Sequence, residues 1–107
     1  MKDAAKIRVM LVDDHFLVRM GLVSTLSAEP DLNVVCEAEN GAQAIEQYRR
    51  MQPDVTLMDL RLPGMSGIES TAAIRREFPA ARIIVLSTYD GDEDIYARWR
   101  PAPPDTY

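Results

Sequence analysis

The chain has 107 residues, enough for one domain and near the lower comfortable size for a single core. Apolar residues make up 47%, which excludes a disordered chain, and a formal net charge of −5 argues against a broad nucleic-acid-binding face. No apolar stretch approaches the length of a membrane span, and the start of the chain lacks a signal-peptide pattern.

The predicted elements alternate apolar runs with helical patterns, the signature of βαβ units. A first strand spans about Ile7–Val12 and stops at two adjacent carboxylates, Asp13 and Asp14. A helix follows, with Val18, Leu22 and Leu26 on one face, and ends at Glu29-Pro30. A second strand spans about Asn33–Ala38. It holds the lone Cys36, which excludes an internal disulfide, suits a reducing cytoplasm and reads as a small buried hydrophobe. Asn40-Gly41-Ala42-Gln43 predicts a capping box for a second helix with Ala44, Ile45 and Tyr48 inside, closed by Pro53. A third strand, about Val55–Met58, stops at Asp59. A turn pair, Pro63-Gly64, and a second capping box, Ser66-Gly67-Ile68-Glu69, open a third helix. Ile68, Thr71, Ile74 and Phe78 run along one of its faces, and Pro79 stops it. A fourth strand covers about Arg82–Leu86, apolar on both faces as a buried parallel strand should be. Asp90-Gly91-Asp92-Glu93 predicts the start of a fourth helix with little room before Pro101, Pro103 and Pro104. Those prolines bar the last residues from an interior strand.

If these runs are parallel strands in the order 2-1-3-4, Asp13, Asp14 and Asp59 meet at the carboxyl edge of the sheet, where open α/β sheets place ligands. Three carboxylates cannot sit together unpaired, because like charges raise each other's pKa. A hard divalent cation of the Mg²⁺ type relieves the repulsion, and a carboxylate beside it is a competent nucleophile toward phosphorus. His15, the single histidine, reads as ordering the first turn of the helix rather than as a phosphodonor. The scattered methionines Met10, Met20, Met51, Met58 and Met65 read as core filler or loop anchors, not a metal-binding run, and Arg75-Arg76 as a solvated face.

Val12-Asp13-Asp14-His15, Leu57-Met58-Asp59-Leu60, Leu62-Pro63-Gly64-Met65-Ser66-Gly67 and Val85-Leu86-Ser87-Thr88 together resemble the CheY-like receiver domain of bacterial two-component response regulators. The detail of Asp14-His15 and Asp90-Gly91-Asp92-Glu93 is similar to the NarL/FixJ branch. The resemblance covers about residues 6 to 97 and implies a flavodoxin-like, three-layer αβα fold. It implies that Asp59 accepts a phosphoryl group from a sensor histidine kinase. It also implies that Asp13, Asp14, Asp59 and the backbone carbonyl of Arg61 hold Mg²⁺, and that Ser87 contacts the phosphoryl oxygen in the activated state. The expected module is cytoplasmic and not an enzyme, without a membrane partner and without nucleic-acid binding of its own. Transcription regulation then belongs to a longer relative with a DNA-binding domain.

The chain departs from that family at its end. The family continues into a fifth strand, which ends in a lysine, and a fifth helix; here Lys2 and Lys6 both precede the first strand. Impaired switching is the expectation, because a charge-assisted bond to the phosphoryl oxygens is missing. Residues 1–97 thus read as an incomplete receiver and 98–107 as an aberrant proline-rich tail. One set of codons for Ala97 to Tyr107, read with one C restored after the Tyr96 codon, gives Arg-Ala-Leu-Glu-Ala-Gly-Ala, then a variable residue, then Gly-Tyr, similar to the family's continuation. A one-base deletion near codon 97, or a sequencing error of that kind, is the corresponding expectation, and the nucleotide sequence tests it. With the fifth strand missing, Ile83-Ile84-Val85-Leu86 is expected to be a bare edge prone to self-association.

Two other functions fit parts of the pattern. A fragment or pseudo-receiver would act only by binding partners; the intact acidic triad argues against it and the missing lysine for it. A small Mg²⁺-dependent aspartyl-phosphate phosphatase would want an acid two positions after its nucleophile, where Arg61 stands.

Overall fold

In the computed structural model, which describes residues 6–87 and 98–101, the first strand is β1 (Ile7–Val12). It runs parallel between β2 (Leu32–Ala38) and β3 (Val55–Asp59), and β3 pairs in parallel with β4 (Ile83–Ser87). The predicted parallel order 2-1-3-4 is therefore present. Residues alternate across the sheet. Val9 and Leu11 join Leu57 and Leu86 on one face, under Leu22, Val23 and Leu26 of helix α1 (Phe16–Ser27). Met10, Val12, Met58 and Val85 lie on the other. There they meet Ala44 and Tyr48 of α2 (Gly41–Met51) and Ile74 of α3 (Gly67–Glu77). Both faces of the sheet are covered, which is why β1, β3 and β4 read as continuous apolar runs. Met10 and Met58 are fully buried and serve as the core filler expected of them.

The helix boundaries have local causes. At α3 the capping box forms in full: Ser66 Oγ accepts from the Glu69 N–H at 3.1 Å, and Glu69 Oε1 accepts from the Ser66 N–H at 2.9 Å. At α2 only half of the predicted box forms. Asn40 Oδ1 accepts from the Gln43 N–H at 2.8 Å, but Gln43 Oε1 takes the Glu39 N–H instead of that of Asn40. Gln52, in the left-handed region at φ 43°, ends α2 ahead of Pro53. Two positions of the predicted inner stripes lie outside: Val18 is 47% and Ile68 37% exposed. In α1 the inner stripe is rotated to include Arg19, which is buried. Cys36 is half-buried against the core, and burial raises its thiol pKa, so it behaves as the hydrophobe expected.

The sheet differs from the expected one at its far edge. A fifth strand, β5 (Arg98–Pro101), pairs antiparallel with β4, with Ser87 opposite Arg98 and Ile84 opposite Pro101. The expectation of a bare β4 edge available for self-association is therefore corrected. The prolines that bar an interior strand do not bar an edge strand, where one row of backbone groups faces outward and a proline at the end costs no ladder bond. An antiparallel edge on a parallel sheet is a common arrangement. The fourth helix predicted from Asp90-Gly91-Asp92-Glu93 lies outside the described residues. Deleting residues 98–107 is expected to bare β4 and shift the protein toward larger species. Sedimentation velocity of the deleted and full chains checks this; indistinguishable profiles would count against the pairing.

Candidate functional site

The sheet register builds an acidic site at the carboxyl edge. Val12 lies beside Met58 in the β1–β3 ladder, so the next residues outward, Asp13 and Asp59, are neighbours. Asp13 is anchored by its N–H to the Ala38 carbonyl of β2 at 3.0 Å. Asp14, exposed, follows in the turn into α1. Asp13 is 5% exposed and Asp59 2%. One carboxylate oxygen each of Asp13, Asp14 and Asp59, together with a ring nitrogen of His15, lie within 4.8 Å of one another. The three carboxylates expected to converge do converge.

These acids act on one another. Burial pushes the Asp59 carboxyl up to about 6, and the charge of Asp13 pushes in the same direction. The Arg61 N–H, donating to Asp59 Oδ1 at 3.2 Å, opposes the rise; Asp14 adds to it and His15 reduces it. His15 touches both acids of the turn, with Nδ1 3.2 Å from Asp13 Oδ1 and 3.1 Å from Asp14 Oδ1. Its hydrogen bond with Asp13 and the charge of Asp14 raise the imidazole above its ordinary value. Its backbone N–H also donates to Asp13 Oδ1 at 2.8 Å, so His15 orders the turn into α1 as its position suggested. Arg61 lies in the β3–α3 loop two residues beyond Asp59. Ser87 ends β4 one residue beyond Leu86, the partner of Asp59, so its backbone lies at the same edge; its side chain is outside the described structure.

Two residues that support the site carry signals in the sequence that periodicity alone did not separate from noise. Arg19, only 9% exposed, donates from Nη1 to the Asp13 carbonyl at 2.5 Å and from Nε to Glu37 Oε1 at 2.9 Å. Its spacing of three and seven from Leu22 and Leu26 places it on the inner stripe, where a charge is out of pattern. Gly67, the first residue of α3, donates its N–H to the Leu60 carbonyl at 2.9 Å. A Cβ there would meet the Asp59 carbonyl oxygen at 2.1 Å. The glycine lets α3 start directly behind the acidic residue of β3.

The described residues include no helix long and apolar enough to cross a membrane. The family model for the response regulator receiver domain matches residues 9–99. The transcriptional regulatory protein LiaR of Bacillus subtilis (strain 168) is 47% identical over 90 residues, 84% of this chain and 43% of that protein. The chain thus spans less than half the length of the curated relatives it matches. Among solved structures, the signal receiver domain of the putative response regulator NarL from Mycobacterium tuberculosis aligns with a TM-score of 0.76 at 42% identity, covering 81% of this chain and 70% of that one. A CheX–CheY–BeF3–Mg²⁺ complex from Borrelia burgdorferi aligns with a TM-score of 0.75 at 26% identity, covering 83% of this chain and 66% of the matched chain. With its sheet order, its acidic edge and its relatives among NarL- and LiaR-type regulators, the chain belongs to the response regulator receiver domain family.

Proposed function

We propose that this chain is a phosphoacceptor module of a two-component phosphorelay, with Asp59 accepting the phosphoryl group from a sensor histidine kinase. The observation that carries the reading is the convergence of Asp13, Asp14 and Asp59 within 4.8 Å, with Asp59 the most buried of the three. The donor set fits Mg²⁺: hard carboxylate oxygens, few in number, at an open sheet edge that leaves room for coordinated water. Asp13, Asp14, Asp59 and the Arg61 carbonyl would hold it, and the Mg²⁺ of the Borrelia complex supports that choice. When bound, it would supply positive charge to neutralise the transferring phosphoryl group.

The residues of the chain do the rest. An Asp59 carboxylate oxygen attacks phosphorus and forms the O–P bond of an acyl phosphate. The P–N bond to the donor imidazole breaks, and the imidazole leaves with a proton from solvent. The Arg61 N–H on Oδ1 orients the Asp59 carboxylate. Ser87, whose backbone ends β4 at the same edge, would donate its hydroxyl to a phosphoryl oxygen and bias the surrounding face. Any role in transcription rests with the part of the longer relatives that this chain does not span.

Incubation with acetyl phosphate and Mg²⁺, followed by intact-mass measurement, tests the reading. One phosphoryl group is expected on the wild-type chain, stable in acid and lost in base, with none on Asp59→Asn or without divalent cation. A wild-type chain that binds Mg²⁺ yet gains no mass would reduce it to a partner-binding module.

A further inference from the structure

Arg19 brings a guanidinium onto the buried face of α1, where it is 9% exposed. Its guanidinium leaves α1, passes beneath the β1–α1 turn and reaches β2. The side chain is 11% exposed, while that of Glu37, its partner, is 45% exposed and that of Glu39, 4.0 Å away, 63%. The ion pair is therefore lopsided: a buried cation faces two acids that remain largely hydrated. Such a pair is a poor source of stability, because the arginine is desolvated and the acids gain little from it. The more informative contact is the other one. Nη1 donates to the carbonyl of Asp13.

That carbonyl belongs to the peptide unit joining Asp13 to Asp14. A peptide is planar, so fixing its oxygen fixes the direction in which the chain enters Asp14. On one side of that unit stands the buried carboxylate of Asp13, on the other the exposed carboxylate of Asp14. The two must face Asp59 together for a single ion to bridge them. The Asp13 N–H is already tied to Ala38 of β2, and Arg19 ties the far side of the same residue to Glu37 of β2. Both anchors come from one neighbouring strand.

We propose that Arg19 is a positioning residue of the metal pocket: through its bond to the Asp13 carbonyl it sets how Asp13 and Asp14 present their carboxylates toward Asp59. This rests on the reading that the acidic edge binds a divalent cation. Glu37 holds the guanidinium in place but does not itself touch the turn, so the two partners of Arg19 have separable consequences.

Mg²⁺ affinity, measured by isothermal titration calorimetry on the full chain and on Arg19→Gln, Arg19→Lys and Glu37→Gln, tests this; circular dichroism and urea denaturation accompany each variant. Arg19→Gln is expected to stay folded and lose about tenfold or more in Mg²⁺ affinity, the scale on which outer partners of metal ligands act. Arg19→Lys, with one donor that can reach the carbonyl, should recover part of the loss. Glu37→Gln should shift the urea midpoint while leaving Mg²⁺ affinity within about twofold, well below that outer-partner scale. A merely structural arginine predicts the opposite: affinity unchanged in every folded variant, or falling only in step with stability across all of them. Should Arg19→Gln fail to fold, Arg19→Lys decides: wild-type affinity in that folded variant overturns the proposal. If the wild-type chain binds no Mg²⁺, the metal reading itself fails, a result distinct from binding that ignores Arg19.

Discussion

Gly67→Ala is expected to be the most damaging Gly→Ala change among the described residues. A Cβ at residue 67 lies 2.1 Å from the Asp59 carbonyl oxygen, 2.9 Å from the Asp59 carbonyl carbon and 2.9 Å from the Leu60 Cα. All three are backbone atoms, so no rotamer change relieves the clash. The start of α3 must move away from the end of β3, and the Gly67-to-Leu60 hydrogen bond at 2.9 Å goes with it. Overpacking of this kind typically costs 1–3 kcal/mol, and a contact this short against backbone belongs at about 3 kcal/mol or beyond. Against a total stability of about 5–15 kcal/mol, that is a large share. The displaced strand end also carries Asp59, the residue proposed to accept the phosphoryl group, so any acceptance of phosphate should fall as well. Gly21→Ala is the control: nothing lies within 4 Å of a Cβ there, and it sits inside α1. Relief of backbone entropy should make that variant about 0.5–1 kcal/mol more stable. Urea denaturation of the two variants checks both signs, and equal midpoints would refute the close approach at Gly67.

Asp59→Asn is expected to remove phosphate acceptance and yet stabilise the metal-free protein at neutral pH. The Asp59 carboxyl has an ordinary pKa of 3.8 and is pushed up to about 6 in the folded chain, first by burial and then by Asp13. Between those values the folded protein keeps a proton that the unfolded chain has released. Stability from this group is therefore fully present below about pH 4 and lost as pH rises through about 6. Above that, the protein holds a buried carboxylate at a cost. One pKa unit corresponds to about 1.4 kcal/mol, and with the pocket mouth open to water we expect about 1–2 kcal/mol in total. Asparagine keeps the acceptor for the Arg61 N–H and discards the charge. In EDTA at pH 8 the variant should therefore unfold later than wild type by that amount, and the gap should close near pH 4. Adding Mg²⁺ should narrow the gap at pH 8, because an ion that binds the folded wild type stabilises it by mass action. A variant less stable than wild type at pH 8, or a gap unchanged at pH 4, would sink this account. The site is costly to the fold for the same reason that would make it useful under the proposed function: like charges are held together at an edge where a bound cation would resolve them.

The parallel strands and the acidic edge were legible because both are written in local pattern. β1 and β3 are apolar runs that each stop at a carboxylate, and the parallel order follows from alternation with helices. The α3 boundary was equally clear, since the side chains of Ser66 and Glu69 each accept from the other's backbone N–H within four residues. The difficulties arose where a residue answers to something distant. Val18 and Arg19 are adjacent on α1, and a rotation of the helix by one position decides which faces the sheet. Arg19 turns inward because Glu37 and the Asp13 carbonyl await it, and neither is visible from helical spacing. The prolines bar Arg98–Pro101 from an interior strand, and local pattern does not show that β4 offers a free side for an edge strand.

The sequence alone therefore determined the four parallel strands and the carboxylates that follow β1 and end β3, because these depend on spacing along the chain, and its motifs carried the family resemblance. Tertiary structure decided that Asp13 and Asp59 are the buried members of the triad, that Arg19 grips the turn between Asp13 and Asp14, and that the sheet closes with an antiparallel edge. Burial, a shared hydrogen-bond partner and strand pairing are all contacts between residues far apart in sequence, and no local pattern encodes them.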